Sequence, residues 1–376
     1  MSLTEDIKTY ALDLGYSRAG ITSAEGFPDY AAELQLRYDM YRWYIDSPRK
    51  PILGAIPRKI MPSAKSIISL VYDYARGSFP ENLTGKIGRL YQARCYNAPE
   101  ERINGARPRL MREFLEKAGC HVARGIFIPE RLAAARAGIV NYGKNCFAFS
   151  EGTGSFIVLS SFVVDAELNC DEPTFEVKCP PKCTACMDAC PTRAIYEPLK
   201  MNPQRCIAFN TFWTQDDVPG STSYIAPEIR EKMGTWIHGC DICQEVCPKN
   251  QRRLKANLPT DPFLENIAQD FDLVKLLGLS AEFYRTRVQP LMFNYIRNRR
   301  YFQRNAAIAM GNIGDPVFIP ALLRAQKDPD DLVRGYAAWA MGKIGGPKIR
   351  QILESSIASE TAESVIREIK AALVFA

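Results

Sequence analysis

Cysteines are the residues of this chain whose type and spacing point most directly to chemistry. The segment CPPKCTACMDACP holds four of them and ends at Pro191, and the segment CDICQEVCP holds three more and ends at Pro248. One further cysteine, Cys206, lies between the two segments. Closely spaced cysteines followed by Pro are typical of ferredoxin-type 4Fe–4S sites, where thiolates bind the iron. These eight cysteines are the number that two four-iron clusters require.

The spacing divides the eight cysteines into two sets of ligands. One segment supplies three ligands to a cluster, and the fourth comes from the other segment, where a Pro turns the chain away. The two predicted sets are Cys179, Cys183, Cys186 and Cys247, and Cys190, Cys206, Cys240 and Cys243. The first gap has three residues where the ferredoxin pattern has two, and Cys170 is the nearby substitute for Cys179. Structural zinc is the alternative, although zinc sites rarely use this interleaved pattern twice.

The composition is that of an ordinary globular protein, with 47% apolar and 24% charged residues among 376. A chain of this length can form two or three domains with separate cores. Its start lacks the apolar segment of a signal peptide, and no apolar run reaches the length of a membrane span. We therefore expect a cytoplasmic protein without a membrane segment, in which the clustered cysteines bind metal and do not form disulfides.

The histidine content and the net charge narrow the function classes further. The chain has only two histidines, His121 and His238, which argues against a zinc hydrolase or an enzyme with His-based acid–base chemistry. The net charge of +6 is mild. It permits contact with a nucleic acid or another anion but does not require it.

Helices and strands alternate before the cysteine segments. Apolar spacing predicts helices over residues 3–14 and 29–45 and in the segment ERLAAARAG. Strands are predicted at YSRAGITSA, at KSIISLVYDYA, near Val122 to Ile128, and at GSFIVLSSFVVDAEL. This alternation predicts an α/β or α+β domain over residues 1–170.

The rest of the chain divides into three segments by pattern. Residues 171–255 hold the cluster cysteines and predict a small ferredoxin-like fold held by metal ligands. Residues 256–296 are predicted to be a connecting helical segment. In residues 297–376, NAAIAMGNIGDP recurs 31 positions later as YAAWAMGKIGGP. A repeat of this kind predicts an α-solenoid of paired helices similar to HEAT repeats.

Several motifs occur together in the order known from one enzyme family. These motifs are DIKTYALDLGYSRAGITSA, IMPSAKSIISLVYDYA, LAAARAGIVNYGKN, CTACMDACPTRAI, CDICQEVCPKN and the terminal helical repeats. Over nearly its whole length the chain resembles the epoxyqueuosine reductase family and, through it, the reductive dehalogenases. Because the resemblance rests on several ordered motifs, it is more specific than a double-cluster motif alone.

The resemblance implies a cobalamin-dependent reductase with an N-terminal corrinoid-binding domain. In such enzymes two 4Fe–4S clusters deliver single electrons to the cobalt of a cobalamin whose lower axial base is detached. The implied reaction is the reduction of epoxyqueuosine to queuosine in tRNA, with the helical repeats helping to hold the RNA. An external low-potential donor such as flavodoxin or ferredoxin would supply the electrons. We expect a monomer.

The resemblance also implies which residues meet the cobalamin. By motif these are Arg58 and the segment Gly143, Lys144 and Asn145, which could hydrogen-bond the corrinoid amides or hold its phosphate. The alternatives are a solvated loop charge at Arg58 and a helix end with Lys144 in solvent.

One position departs from the family pattern. The family has an acidic proton donor shortly before its ER-x-A-A-A-R-A-G segment, and aligning Glu130 and Arg131 puts Arg124 at that position. An Arg cannot act as a general acid near neutral pH, because its pKa stays above about 12. We therefore expect Tyr142 or another group to supply the proton, or Arg124 to bind an anionic substrate. The alternatives are a salt-bridged Arg124 on the surface and a Glu130 that is solvated and not catalytic.

The segment NYIRNRRYFQRN is the best candidate for RNA contact. It interleaves basic and aromatic side chains: Arg297, Arg299, Arg300 and Arg304 with Tyr295, Tyr301 and Phe302. Arginines can clamp phosphates, and aromatic rings can stack on unpaired bases. The alternative is an amphipathic helix that enters the solenoid with a solvated basic side.

Two other functions stay open from the sequence. Arg124 is compatible with a related corrinoid reductase that acts on a small, anionic or halogenated molecule. The helical repeats are compatible with a non-catalytic iron–sulfur electron carrier that docks a protein partner.

Overall fold

The computed structural model describes residues 2–93, 105–125, 127–212, 224–289 and 298–376. Contacts within the chain group these residues into two units. The first unit comprises Met1–Ser78, Gln92–Gln204 and Ile242–Leu258. The second comprises Phe79–Tyr91, Arg205–Asp241 and Pro259–Ala376.

The strands all belong to the first unit. Over the described residues they are β1 (Arg18–Ser23), β2 (Ser66–Asp73), β3 (Asn141–Tyr142), β4 (Ala148–Phe149), β5 (Ile157–Val164), β6 (Ile195–Glu197) and β7 (Lys200–Met201).

Helices occur in both units. The α-helices of the described residues are α1 (Leu3–Asp13), α2 (Pro28–Leu36), α3 (Tyr38–Ile45), α4 (Pro51–Gly54), α5 (Pro57–Ile60), α6 (Ala106–Lys117), α7 (Glu130–Arg136), α8 (Ala185–Ala189), α9 (Ile207–Phe212), α10 (Pro227–Arg230), α11 (Ile242–Glu245), α12 (Gln251–Leu254), α13 (Pro262–Ala268), α14 (Leu273–Leu277), α15 (Ala281–Phe283), α16 (Arg300–Ile313), α17 (Ile319–Ala325), α18 (Asp331–Ile344), α19 (Pro347–Ile357) and α20 (Glu363–Ala372). Short 3₁₀ turns occupy Glu81–Leu83, Arg89–Ala93, Pro203–Arg205, Glu231–Met233, Pro248–Asn250 and Pro316–Phe318, and a π-helical turn occupies Tyr284–Val288.

An antiparallel sheet with the strand order β1-β2-β5 lies at the centre of the first unit. In its register Arg18 of β1 lies opposite Val71, and Ser66 of β2 lies opposite Val164 of β5. The pairs β3-β4 and β6-β7 form two small separate ribbons. The predicted α+β class is thus confirmed, with strands that run antiparallel.

Helices cover both faces of this sheet. Because successive side chains of a strand point to opposite faces, Ile68 and Leu70 face the α1 and α6 side, where they pack with Met111. Ile67 packs on the opposite side with Ala133 of α7. The central strand β2 is therefore almost entirely buried, and this explains its continuous apolar sequence.

Helix α7 lies unusually close to the sheet. Its residues Ala133, Ala134 and Ala135 have no exposed surface. Gly20 of β1 allows the approach, because a Cβ at that position would overlap the carbonyl oxygen of Ala137. Small side chains on both elements thus hold the middle and the end of α7 firmly against the sheet.

Two predicted elements differ from the observed ones. The helix predicted over residues 29–45 is two helices, α2 and α3, separated at Arg37, whose backbone is not helical. The strand predicted near Val122 is not formed in the described residues 121–125 and 127–129, where Val122 makes only an isolated bridge to Val164. The apolar residues Val122 and Ile128 instead contribute to core clusters on opposite faces of the sheet.

The solenoid of the second unit consists of helix pairs, as the repeat predicts. Helices α16, α18 and α20 pack side by side in this order. The repeated glycines allow this contact: a Cβ on Gly311 would lie 2.6 Å from the ring of Trp339, and one on Gly342 would lie 2.6 Å from the Ala372 oxygen. The repeat motif therefore encodes close helix packing.

Within the described part of the chain, every helix is too short or too polar to cross a bilayer.

Candidate cluster and active site

Four cysteines of the first unit line one small cavity. The lining residues are Cys179, Cys183, Cys186 and Cys247, together with Lys144, Asn145, Phe149, Ala185 and Pro248. Three of the thiols come from the first cysteine segment and one from the second. Four cysteine sulfurs around a common space are the donor set of a 4Fe–4S cluster, so the residues present fit this group.

Short helices and prolines shape the cavity. Helix α8 carries Cys186 and packs against α11. Cys190 and Cys247 both have an extended backbone, with ψ values of 111° and 122°, and a Pro follows each of them. A Pro disfavours helical backbone in the residue before it, so the chain turns away after each cysteine.

The thiols of this cavity influence one another electrostatically. Burial raises the pKa of Cys186 and Cys247, and the neighbouring Cys179 and Cys183 raise it further. Four thiolates in this space would repel one another unless a cation lay among them. Iron binding would displace the protons and offset the repulsion.

Lys144 is attached to the cysteine loop. Its ammonium group donates hydrogen bonds to the carbonyl oxygens of Pro180, Pro181 and Cys183 at 3.1, 2.7 and 3.0 Å. Its backbone N–H points to the Cys179 sulfur at 3.5 Å. Lys144 therefore ties the predicted cobalamin segment to the first cluster loop. Its contact with cobalamin stays a prediction.

The residues on either side of Lys144 are buried. Gly143 donates its N–H to the Phe147 carbonyl at 2.9 Å, and a Cβ there would overlap the ring of Phe149. The side chain of Asn145 donates to the Cys243 carbonyl at 3.3 Å and accepts from the Phe147 N–H at 3.2 Å. This segment thus contacts both cysteine segments.

The other four predicted ligands are divided between the two units: Cys190 and Cys243 in the first, Cys206 and Cys240 in the second. The sulfur of Cys190 accepts a hydrogen bond from the Ala194 N–H at 3.2 Å. Their role as one ligand set stays a prediction. The substitute considered for Cys179, Cys170, is exposed and lies near its own loop carbonyl at Leu168.

Zinc is the alternative metal for the cysteines. Among residues 2–93, 105–125, 127–212, 224–289 and 298–376, no three Cys, His, Asp or Glu side chains converge on a single metal position. Zinc would draw its sulfur ligands to about 2.3 Å from one point. In a cubane each thiolate binds a different iron, so the ligands lie further apart. The four cysteines that line one cavity fit the cluster.

A group of polar side chains surrounds Arg131 at the start of α7. Arg131 donates to the Cys146 carbonyl at 3.1 Å and lies over the ring of Phe147. Tyr142, which interacts electrostatically with Arg131, is half-buried, and burial raises its pKa to about 12. Burial also raises the pKa of Tyr30, whose hydroxyl lies 3.3 Å from that of Tyr44. Tyr142 therefore stays protonated across the physiological pH range.

The two predicted arginine sites lie on the surface. Arg124 is 68% exposed and forms an ion pair with Glu116 at 3.0 Å. Arg58 is also exposed and donates to the Ala64 carbonyl at 3.2 Å. The surface ion pair considered as the alternative for Arg124 is thus present. Catalysis by Arg124 and cobalamin contact by Arg58 stay predictions.

Two side chains of the first unit acquire an unexpected character in the fold. Asn141 has a buried side-chain oxygen that receives no hydrogen bond from the described residues. Glu130 is solvent-exposed, as expected, yet the surrounding protein desolvates it and raises its pKa to about 7. No sequence signal indicates the pKa shift at Glu130, because the shift depends on desolvation by the surrounding protein. Asn141 is the first residue of the NYGKN motif, and this position could have indicated it.

The candidate RNA segment is largely internal. Tyr301 and Phe302 are fully buried, so their rings cannot stack on bases. Arg304 is also buried and donates to the Asn210 carbonyl at 2.7 Å. Arg300 pairs with Asp330 at 3.6 Å. RNA contact through Tyr301, Phe302 and Arg304 is therefore wrong, because these side chains form the start of the solenoid.

Three members of the candidate RNA segment remain, and the structure describes one of them. Tyr295 and Arg297 lie outside the described residues. Arg299 donates to the carbonyl oxygen of Leu279. The described residues form a helix that enters the solenoid, as the alternative predicted, but Arg304 is buried and Arg300 is paired, so this basic side is not solvated.

Two family models match parts of the chain. The model of the 4Fe-4S double cluster binding domain matches residues 179–250, and the model of HEAT repeats matches residues 293–374. The first match covers both cysteine segments, and the second covers α16 to α20. The predicted cluster domain and helical repeats are thereby confirmed.

Solved structures resemble the whole chain. A crystal structure of an epoxyqueuosine reductase with an epoxyqueuosine-modified tRNA-Tyr stem loop matches with a TM-score of 0.79 at 26% identity, over 99% of this chain and 98% of that one. The Bacillus subtilis enzyme, with the catalytic loop that carries an aspartate swung out of the active site, matches with a TM-score of 0.78 at 26% identity, over 99% and 98%.

Curated relatives show the same similarity in sequence. The epoxyqueuosine reductase of Shigella dysenteriae serotype 1 is 30% identical over 91% of this chain and 89% of its own length. The one from Lactococcus garvieae is 30% identical over 91% and 96%, and the one from Bacillus subtilis is 29% identical over 98% and 94%. The resemblance drawn from the motifs is confirmed, and the chain belongs to the epoxyqueuosine reductase family of oxidoreductases.

Proposed function

We propose that this protein reduces epoxyqueuosine to queuosine in tRNA, with cobalamin and two 4Fe–4S clusters as cofactors. The observation that carries this proposal is the cavity of four cysteines, reached by Lys144 and Asn145 from the segment that the resemblance assigns to cobalamin. Family membership supplies the substrate, since relatives act as epoxyqueuosine reductases and one is solved with a modified tRNA stem loop.

The ligand assignment of the clusters follows the spacing of the cysteines. The first cluster takes Cys179, Cys183, Cys186 and Cys247, which line the cavity. The second takes Cys190, Cys206, Cys240 and Cys243, an assignment that rests on the sequence. Electrons enter from an external low-potential one-electron donor such as flavodoxin or ferredoxin.

The polar groups at Asn141 and Tyr142 are suited to bind cobalamin. The orphaned oxygen of Asn141 is an acceptor that a corrinoid amide can satisfy. The Tyr142 hydroxyl makes no hydrogen bond with the described residues. Arg58 and the segment from Gly143 to Asn145 would hold the rest of the group. Bound cobalamin would supply low-potential reducing chemistry at the substrate.

The chain's own residues orient and separate the reacting groups. Lys144 and Asn145 fix the predicted cobalamin segment to the cysteine loops. Tyr142 remains neutral and can hydrogen-bond the substrate, because its pKa is about 12. Arg131 places positive charge beside the tyrosines and would favour an anionic or partly charged substrate oxygen.

The cluster content tests the first part of the proposal. Anaerobically reconstituted protein should contain about eight iron and eight sulfide per chain, as two four-iron clusters require. Cys179→Ala should lose about half of the iron, whereas Cys170→Ala, the matched control, should lose none. Equal content in both variants would contradict the assignment of Cys179.

The cofactor and the substrate are tested next. The protein should retain cobalamin on a desalting column with the visible spectrum of the base-off form. With a reduced one-electron donor, it should convert an epoxyqueuosine-containing anticodon stem loop to the queuosine form, as read by mass spectrometry. Full iron without cobalamin would indicate an electron carrier. Cobalamin retention without RNA conversion would indicate a corrinoid reductase for small molecules.

A further inference from the structure

We propose that Glu130 is the general acid that protonates the departing oxygen of the substrate. This inference rests on the proposed function and deepens it by naming the residue that replaces the missing acid. Arg124 occupies the sequence position of the family's acid, and it cannot serve because it is a surface guanidinium paired with Glu116.

Glu130 is available for a reaction. It is the first residue of α7, its side chain is exposed, and the described residues offer its carboxyl group neither a hydrogen bond nor an ion pair. The next residue, Arg131, is fixed to the segment that follows Tyr142 through the Cys146 carbonyl. Glu130 therefore begins a helix whose first turn is attached to the predicted cobalamin segment.

The helix holds Glu130 rigidly. The three alanines that follow Arg131 and Leu132 are packed against the sheet without exposed surface. At the other end of α7, Arg136 donates to Thr22 and to the carbonyl oxygens of Ser23 and Gly26. A catalytic acid needs such support, since a small displacement of a reacting group lowers the rate strongly.

Among the residues that the structure describes, one charged group acts electrostatically on Glu130. The strands packed against α7 are β1, β2 and β5. Their charged residues are Arg18, which pairs with Glu151, and Asp73, which pairs with Arg253. Arg131 is the charged group that acts on Glu130, and its effect is smaller than that of desolvation.

The acidity of Glu130 suits proton donation to the substrate better than the acidity of Tyr142 does. Solvent reaches its carboxyl group, yet the surrounding protein raises its pKa to about 7. A general acid works best when its pKa lies near the operating pH. The pKa of Tyr142, about 12, makes it a much weaker acid. Glu130 is thus partly protonated at neutral pH.

In this assignment Glu130 supplies one of the two protons that the reaction consumes. Reduction removes the epoxide oxygen as water and leaves a carbon–carbon double bond, which consumes two electrons and two protons. The external one-electron donor supplies the electrons in two steps. The O–H bond of Glu130 breaks, its proton passes to the oxygen as a carbon–oxygen bond breaks, and the carboxylate regains a proton from water. Water also supplies the second proton.

Two variants and one control test this assignment. Glu130→Gln keeps the shape of the side chain but cannot donate a carboxyl proton, so kcat should fall about a hundredfold or more. Glu130→Asp should restore part of that loss. Glu113→Gln removes another glutamate of the same unit, one that pairs with Arg109 on α6, and should leave the rate unchanged.

Further measurements distinguish a catalytic role of Glu130 from a structural one. The kcat of the natural protein should fall as pH rises through about 7, because deprotonation removes the acid, and Glu130→Gln should lack this limb. The infrared spectrum of the natural protein should show a carboxyl band that titrates near pH 7 and is absent in Glu130→Gln. Iron content, cobalamin retention and RNA affinity should be equal in both proteins.

The outcomes distinguish this inference from the proposed function. A natural protein that leaves the RNA unreduced overturns the proposed function. If it reduces the RNA and Glu130→Gln retains more than about a third of the rate, the assignment of Glu130 alone is overturned. A carboxyl band of Glu130 that titrates near pH 4 also overturns it.

Discussion

At the scale of single residues, Lys144 connects the two parts of the candidate site. Its ammonium group satisfies three carbonyl oxygens in the loop between Cys179 and Cys186, and its N–H points to the sulfur of Cys179, a predicted ligand. Lysine in such a position also offsets the negative charge of the thiolates. The sequence suggested a cofactor-binding lysine, and the structure adds a direct structural role in the loop.

Replacing Lys144 tests this role. Lys144→Met keeps the length of the side chain but leaves three carbonyls without their donor, which should destabilise the loop by about 2 kcal/mol or more. We expect faster loss of iron from the first cluster, measured by the decay of the visible absorption in the presence of a chelator.

The neighbouring Lys182 provides the control for this variant. It lies in the same loop, is exposed and makes no hydrogen bond with the described residues. Lys182→Met should therefore lose iron at the natural rate. Equal rates for the two variants would contradict the structural role of Lys144.

At the scale of elements, glycines determine how closely the solenoid helices pack. A Cβ on Gly342 would lie 2.6 to 2.8 Å from three atoms of Ala372 in α20. Overpacking of this kind costs about 1–3 kcal/mol, and the better helix propensity of Ala returns about 1 kcal/mol. Steric overlap therefore outweighs propensity at this position.

Gly342→Ala should accordingly lower the stability of the protein by up to about 2 kcal/mol. The measurement is the midpoint of urea unfolding, followed by circular dichroism. Gly278→Ala is the control, because a Cβ there would be at an ordinary contact distance of 3.6 Å. A Gly342→Ala protein as stable as the control would show that α20 shifts freely.

The ion pair between α18 and the segment before α20 gives a prediction about pH. Arg334 holds Glu360 in two hydrogen bonds at 2.8 and 3.0 Å and lowers its pKa to about 2. Because an unfolded Glu has a pKa of about 4.3, the pair stabilises the fold fully above that pH. This stabilisation, up to about 3 kcal/mol, is lost as the pH falls from about 4 to about 2.

Hydrogen exchange can measure this loss of stability in the helices next to the ion pair. Peptides that cover α18 and α20 should be less protected in Glu360→Gln than in the natural protein at pH 7, after correction for intrinsic exchange rates. At pH 2 to 3 the protection of these peptides should become similar in the two proteins. A constant difference across the pH range would show that the pair does not control this pH dependence.

At the scale of the whole molecule, the proposed RNA binding would depend on basic side chains, and the chain carries a net charge of +6. Arginines that contact phosphates release counterions, so affinity falls as salt rises. The burial of Arg304 and the pairing of Arg300 mean that these side chains contribute little. Other basic residues must then carry the contact.

Binding of an anticodon stem loop should weaken about tenfold or more between 50 and 200 mM salt, if three or more phosphates are contacted. Fluorescence anisotropy with a labelled RNA measures this slope. Arg300→Ala should leave the slope unchanged, since its guanidinium pairs with Asp330. An affinity that is independent of salt would exclude a phosphate-dominated interface.

The sequence by itself determined the features that depend on local spacing. The cysteine segments, the 31-residue repeat and the α7 segment could each be recognised because neighbouring residues carry the whole pattern. The strands β1, β2 and β5 were predicted for the same reason. The break at Arg37 and the missing strand near Val122 were not predicted, because the packing of distant residues decides them.

Only the tertiary structure decided which side chains are free to react. Arg304 and Glu130 both appear in the sequence as ordinary charged residues. In the fold, Arg304 becomes a buried donor to backbone carbonyls, and Glu130 becomes a desolvated acid with a pKa of about 7. Desolvation is the sum of contributions from all surrounding atoms, which come from distant parts of the chain. For this reason the cluster ligands could be predicted from the sequence, whereas the proposed proton donor depends on the fold.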